Sequence, residues 1–331
     1  MPSGRAGSAK CRGFASRFAL TAIVACASLG VRVGVAQAKE FRWVLPEGIS
    51  PPPVPADNPM SEAKVALGRR LFGDVRLSFN RSTSCASCHD PARDFSDGRP
   101  RAIGADGRPH ARNTPSLWNV GYNVSFTWID QGLSTLEAQL QLPLTGREPV
   151  EMGFGAEQAR ALAADPEIDA LQRAAFGDVL LGEDSVIRAL AAYVRTLVRM
   201  DSRFDRYFFW DDAAGFDARA RMGMELFFSE RLGCGQCHAG SHLSGPTALP
   251  DRAVAPVFHR TAVSNSTIAV RAPSLRFVRR TAPYMHDGSL ATLDDVIDFY
   301  GGGGGEGAER LKPFTLEANE RAALLAFLEA L

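Results

Sequence analysis

Two pentapeptides, "CASCH" at 85–89 and "CGQCH" at 234–238, hold the most reactive side chains of the chain. In CxxCH two thiols can add to the vinyl groups of a haem, and the next residue, a histidine, reaches the iron. The short loop fixes all three groups relative to the ring. A thioredoxin-like thiol pair or a zinc site could use the same cysteine spacing. A redox pair gives His89 and His238 no role, and one zinc site built from all four cysteines leaves both histidines idle. The pattern points to two covalently bound c-type haems. Cys85, Cys88 and His89 would hold the first, and Cys234, Cys237 and His238 the second.

Each iron then needs a sixth ligand or an open face. The stretch "LATLDDVIDFYGGGGG" at 290–305 reads as a helix with Thr292 as its cap and acidic Asp294 and Asp295 in its first turn. Leu293, Val296, Ile297 and Tyr300 fall on one face, and Gly301–Gly305 ends the helix as an expected flexible loop. Tyr300 is either the end of a core stripe or an oxygen donor to iron. An internal repeat bears on the choice. "LGRRLF" and "MGMELF" precede the two CxxCH motifs, "RNTPSL" returns as "RAPSL", and "DQGLSTLEAQLQLP" answers "DGSLATLDDVIDFY". The last pair aligns Pro143 with Tyr300. Proline has no side-chain donor, so the repeat predicts an open first iron and a second iron closed by His238 and Tyr300. Met285 is the fallback ligand. His242, His259 and His286 read as hydrogen-bonded side chains rather than ligands.

These motifs need a mostly helical scaffold. Runs such as "SEAKVALGRRLF", "EAQLQLPL", "EQARALAA", "DSVIRALAAYVRTLVRMDSRFDRYF" and "ARARMGMELFFSE" have helical periodicity, and strand patterns are nearly absent. The fold class expected is all-α: two cytochrome c-like domains related by duplication, at 61–210 and 216–331, with a hinge in "WDDAAGFD". A proline-rich extended arm at 39–60 precedes them. Residues 1–38 read as a signal peptide, with basic residues, an apolar run and "AQA" before a mature start near Lys39. This implies export to the periplasm without a transmembrane span; acylation of Cys26 is the alternative. The 331 residues carry 37 basic and 37 acidic side chains, and this neutrality argues against nucleic acid as a partner.

The CxxCH pair, "RNTPSLWN", "PVEMG" and "TAPYMHDGSLATLDDVIDFY" resemble the bacterial di-haem cytochrome c peroxidase and MauG family. The opening "RWVLPEGISPPPVPADNPMSEAKVALGRRLF" looks most like its MbnH-type branch. In the peroxidases a methionine closes the second haem at the position of Tyr300, and in MauG-like enzymes a tyrosine does. The histidine that many peroxidases carry over the first haem matches a position near Ala105, not His110. Trp128 matches the tryptophan between the haems; without the resemblance it reads as a core indole. Gln139 and Glu151 match polar residues of the open pocket, where a carboxyl can move a proton between the oxygens of peroxide. Asn113, Thr281 and Pro283 match the groups that hold a calcium ion.

The resemblance implies a MauG-like oxidase. It would take hydrogen peroxide, form a high-valent di-haem (bis-Fe(IV)) state and oxidise an aromatic residue on a partner protein by long-range electron transfer. The MbnH-like opening implies a tryptophan, converted to kynurenine, on a small periplasmic copper-binding protein. In MauG a tryptophan two residues before the second CxxCH serves the exit path; here that position is Leu232. The alternative is a peroxidase that reduces hydrogen peroxide with electrons from a small cytochrome or cupredoxin. A pure electron carrier would need both irons closed, which Pro143 opposes.

Overall fold

Ser61 accepts a hydrogen bond from Lys64 N and opens the first helix, α1 (Glu62–Phe72), as side-chain oxygens do for the unpaired donors of a first turn. The computed structural model describes residues 41–130, 132–248 and 254–331. The expected signal peptide, with Cys26 and the start near Lys39, lies outside the described residues. After α1 come α2 (Cys85–Cys88), α3 (Leu136–Thr145), α4 (Ala156–Ala163), α5 (Pro166–Phe176) and α6 (Glu183–Arg195). The chain then forms α7 (Arg203–Trp210), α8 (Ala218–Phe228), α9 (Leu293–Gly301) and α10 (Ala318–Leu328). Strand among the described residues is limited to β1 (Phe258–His259) against antiparallel β2 (Val270–Arg271). No described helix is long and apolar enough to cross a membrane.

Two helix crossings organise the interior, and both rest on a glycine. A Cβ on Gly68 of α1 would stand on the Ala189 carbonyl of α6 and 2.8 Å from Tyr193 Cβ. A Cβ on Gly223 of α8 would stand on the Ala323 carbonyl of α10 and 2.8 Å from Phe327 Cβ. The repeated "LGRRLF" and "MGMELF" thus make the same close contact of backbones twice. Around the first crossing lies an apolar cluster that includes Leu67, Leu71, Leu162, Ile168 and Leu190. Around the second lies another, with Phe216, Phe227, Leu324 and Phe327. Helix α7, assigned to 61–210 by the sequence, turns Phe204 into this second cluster. The arm is docked on the first: Asn58 is fully buried, donates to Glu137 at 2.7 Å and accepts from Lys64 Nζ at 2.9 Å. Arg195 holds the same Glu137 at 2.9 Å, which ties α3 to α1, α6 and the arm.

Two expectations are corrected. The run "DSVIRALAAYVRTLVRMDSRFDRYF" is not one helix; it breaks after Arg195 and resumes at Arg203. Between them Asn119 takes the backbone: its N–H donates to Leu197 O at 2.7 Å, and its side chain bonds Arg199 N and O at 2.9 Å each. Ser202 and Asp205 then form a capping box that restarts the helix. The glycines after Tyr300 are not a loose loop either. Gly303 N bonds Tyr300 O at 2.9 Å, Gly304 N bonds Phe299 O at 3.0 Å and Gly305 N bonds Thr261 O at 3.0 Å. Gly303 and Gly304 take φ of +89° and +83°, and a Cβ on Gly305 would overlap the Ala262 carbonyl. Glycine serves here for left-handed backbone and close approach.

Gly68→Ala and Gly223→Ala are each expected to destabilise the protein by about 1–3 kcal/mol, since overpacking against a carbonyl outweighs alanine's better helix propensity. Gly73→Ala, with nothing within 4 Å of the new methyl, is expected to change little. Thermal unfolding of the three variants checks this.

Candidate functional site

Both CxxCH segments present their histidines alike. His89 follows α2, and its N–H bonds Cys85 O at 2.8 Å; His238 N bonds Cys234 O at 3.0 Å. The ring atom His89 Nδ1 donates to Phe95 O at 3.0 Å, and His238 Nδ1 donates to Leu243 O at 2.9 Å. A carbonyl can only accept, so each ring is held as the Nδ1–H tautomer with the Nε2 lone pair free for a metal. Burial lowers both basicities, His238 to about 4, so the rings stay neutral. Cys85, Cys88, Cys234 and Cys237 are free thiols, and burial pushes Cys85 up to about 12 and both Cys88 and Cys234 up to about 11. No described group of three or more His, Cys, Asp or Glu side chains could hold a metal ion, which removes the single zinc site.

Beside the second motif lies a cavity of about 480 Å³, with Cys234, Cys237, His238 and Tyr300 in its wall. The apolar stripe of α9 and the cavity are the same surface: Leu293, Val296, Ile297 and Tyr300 all line it. Tyr300 therefore faces the space that His238 faces, and burial pushes its phenol far above the ordinary value. A phenolate there requires a cation beside it, which ferric iron supplies. Arg271 lines the cavity as well, with no carboxylate partner among the described residues, and burial lowers it to about 10. An uncompensated guanidinium in the wall suits an anionic group such as a haem propionate. Cysteines, neutral histidine, phenol and cation together fit a c-type haem.

In the first half, α3 repeats α9. Thr135 caps α3 by accepting from Ala138 N, as Thr292 caps α9 by accepting from Asp295 N. Counting from either cap, Gln139 corresponds to Val296 and Pro143 to Tyr300. Gln139 and Pro143 are four residues apart and share a helix face. Pro143 O then accepts Met152 N at 3.1 Å, which brings Glu151 to the end of α3. Its side chain is 45 % exposed by surface area, yet burial among protein atoms pushes its carboxyl up to about 7. The two agree if the open part faces a pocket. Glu151 also raises both Cys85 and Cys88 through its charge, so its carboxyl lies near the first motif.

Trp128 is 8 % exposed and stands in the wall of the 480 Å³ cavity, where its Nε1 donates to Asn113 O at 2.8 Å and its carbonyl accepts Arg271 N at 2.8 Å. Asn113, Thr281 and Pro283 line that same cavity. Met285, His259 and His286 line it too. His242 does not: it is buried and stacks on Tyr122 with ring centroids 4.3 Å apart. Three groups were given no role by the sequence. Arg271 sits inside a quoted motif, as does Trp118, which lines the cavity and packs its ring 4.9 Å from Phe95, the residue that holds His89. The third is His110, whose Nδ1 stands 3.8 Å from Glu151 Oε1.

Comparison with known proteins agrees with this geometry. Residues 62–213 match the family described as di-haem cytochrome c peroxidase. The methylamine utilization protein MauG of Methylorubrum extorquens is 38% identical, over 89% of this chain and 84% of its own. The cytochrome-c peroxidase IdrP1 of Denitromonas iodatirespirans is 35% identical, over 95% and 92%. A solved MauG-like protein associated with microbial copper homeostasis superposes with a TM-score of 0.83 at 36% identity, covering 88% of this chain and 95% of that one. The chain belongs to the di-haem cytochrome c peroxidase and MauG family. It is a haem-dependent oxidoreductase, and the family implies two c-type haems.

Glu151 is neutral below about pH 7 and a carboxylate above it, and only the carboxylate can accept a proton from peroxide. The reaction of the ferric protein with peroxide is therefore expected to speed up as pH rises through that range. Glu151→Gln should remove this limb and slow the reaction by about 10²–10⁴-fold, as stopped-flow absorbance across pH 5–9 would read.

Proposed function

We propose that the protein uses hydrogen peroxide at the first haem, held by Cys85, Cys88 and His89, to oxidise an aromatic side chain of a partner protein. Cys234, Cys237 and His238 would hold the second haem, with Tyr300 as a further iron ligand, and that group would supply one-electron relay and storage. Each apolar cluster then forms one cytochrome c-like domain. The observation that carries the reading is the pairing of Pro143 with Tyr300 at the same position of two helices that each start at a threonine cap. When bound, the haems supply the reduction of peroxide and the one-electron steps that proteins' own side chains lack.

The side chains divide the remaining work. Glu151 takes a proton from one oxygen of peroxide and returns it to the other, so that water can leave. Gln139, on the face of α3 that Pro143 shares, offers an amide to orient the bound peroxide. Proline at 143 keeps competing ligands off the first iron. Tyr300 Oη gives the second iron an anionic donor that favours high oxidation states. Trp128, buried between the two motifs' surroundings, splits one long electron jump into two shorter ones. Asn113, Thr281 and Pro283 supply oxygen ligands for a calcium ion, a hard cation that such donors suit.

The partner is a small periplasmic copper-binding protein, and the target a tryptophan converted to kynurenine. Support comes from the MauG-like structural neighbour associated with copper homeostasis and from the opening segment of the chain. The second reading, a peroxidase fed by a small cytochrome or cupredoxin, draws on the likeness to the cytochrome-c peroxidase IdrP1. Trp128→Phe separates them. The variant keeps a ring of similar shape but is much harder to oxidise, so both haems should load and peroxide should still react. Partner oxidation is expected to fall at least tenfold, measured by mass spectrometry of the partner. Wild-type partner oxidation in the variant would make Trp128 a core residue only.

A further inference from the structure

Reducing one peroxide to two waters consumes two protons and two electrons (H₂O₂ + 2 H⁺ + 2 e⁻ → 2 H₂O). Glu151 can move a proton within the pocket, but net protons must come from solvent. The loop 102–112 packs against the backbone of Glu151. His110 N bonds Ala102 O at 2.8 Å and Gly104 N bonds Arg108 O at 3.0 Å, which folds the loop back on itself. Ala105 N bonds Glu151 O at 2.8 Å, and Asn80 Nδ2 bonds Ala105 O at 2.6 Å, which fixes the loop to the pocket.

Within this frame His110 has one nitrogen at each end of a path. Its side chain is 10 % exposed, and Nδ1 faces Glu151 Oε1 at 3.8 Å. Its Nε2 is buried with no hydrogen-bond partner. Nε2 and Asp106 Oδ1 both stand beside Gly104, 3.0 and 3.1 Å from where a Cβ would stand, in a space closed by the Val150 carbonyl oxygen. Asp106 leads outward: it is 16 % exposed and pairs at 2.6 Å with Arg108, which is 60 % exposed.

We propose that His110 is the proton relay between solvent at the Asp106 end of the loop and Glu151. A proton arrives on Nε2, the Nδ1 proton passes to Glu151 Oε1 once the two side chains close from 3.8 Å to hydrogen-bond distance, and a ring flip or tautomer exchange resets the imidazole. Glu151 and Asp106 are the charged groups beside the ring; burial opposes its protonation, and the Asp106 charge favours it. An imidazole suits this task because its two nitrogens can accept and donate near neutral pH. Burial also raises Glu151 to about 7 while it lowers His110, so transfer from a protonated ring to the carboxylate runs downhill.

This inference rests on the reading of Glu151 as the pocket's acid–base group, and the experiment separates the two. The holoprotein is compared with His110→Gln, His110→Ala, Asp106→Asn and Glu151→Gln. His110→Gln keeps a donor toward Glu151 but cannot relay. Both His110 variants are expected to slow peroxide reduction about 10–100-fold. In His110→Ala, raising a small buffer acid at fixed pH and ionic strength should restore the rate, while the wild type stays indifferent. Asp106→Asn should give a smaller loss of the same kind. A second readout needs no turnover: after mixing with D₂O, the infrared C=O band of protonated Glu151 should shift at once in the wild type and slowly in the His110 variants. Unchanged exchange and unchanged rates would overturn the relay. So would a wild-type first haem that is low-spin and becomes high-spin in His110→Ala, since His110 would then be an iron ligand. If Glu151→Gln reacts with peroxide at the wild-type rate, the reading of Glu151 itself fails.

Discussion

A threonine hydroxyl sets the register of the helix that faces each CxxCH motif. Thr135 and Thr292 have nearly the same backbone, φ −132°, ψ 153° and φ −128°, ψ 160°, and each caps the N–H three residues on. From that fixed start the eighth helical residue must arrive at the same place in both halves. One half places a proline there and the other a tyrosine. In the proposed reading an open and a closed iron would differ by that one side chain, and the crossings at Gly68 and Gly223 repeat the same close backbone contact in both halves.

The two halves also need a firm joint, because electron transfer between them depends steeply on distance. Asp94, 3 % exposed, supplies it. Its carboxylate takes Arg199 at 3.1 Å and Arg280 at 2.9 Å, and it accepts Trp118 Nε1 at 3.0 Å. Arg199 also lies 4.1 Å above the Phe277 ring. A buried carboxylate needs such partners, so the pairing holds Asp94, close after the first motif, against Arg280 of the second half. Trp128 is fixed by backbone on two sides, through Asn113 and Arg271. A side chain held this way has little freedom to move as charge passes.

Much of this was legible in the residues. The CxxCH pairs, the cap at Thr292 and the repeat that aligns Pro143 with Tyr300 are local or periodic signals. What escaped reading depends on contacts far apart in sequence. The break between α6 and α7 follows from Asn119, about eighty residues upstream, taking the backbone bonds that a helix would use. The glycines after Tyr300 look flexible in composition, yet the close approach to Thr261 and Ala262 is what requires them. His110 and Glu151 meet only because the loop 102–112 folds back through the Ile103–Pro109 bridge and docks on the Glu151 backbone. Arg271 carried a weak signal, a cation inside the repeated "RAPSL", but its burial at the cavity depends on β2 pairing with β1.

The central claim is the asymmetry between Pro143 and Tyr300. Electron paramagnetic resonance of the diferric holoprotein tests it most directly. The account predicts one high-spin signal, from the iron below Pro143, and one low-spin signal, from the iron between His238 and Tyr300. Two low-spin signals would contradict it, because both irons would then be closed.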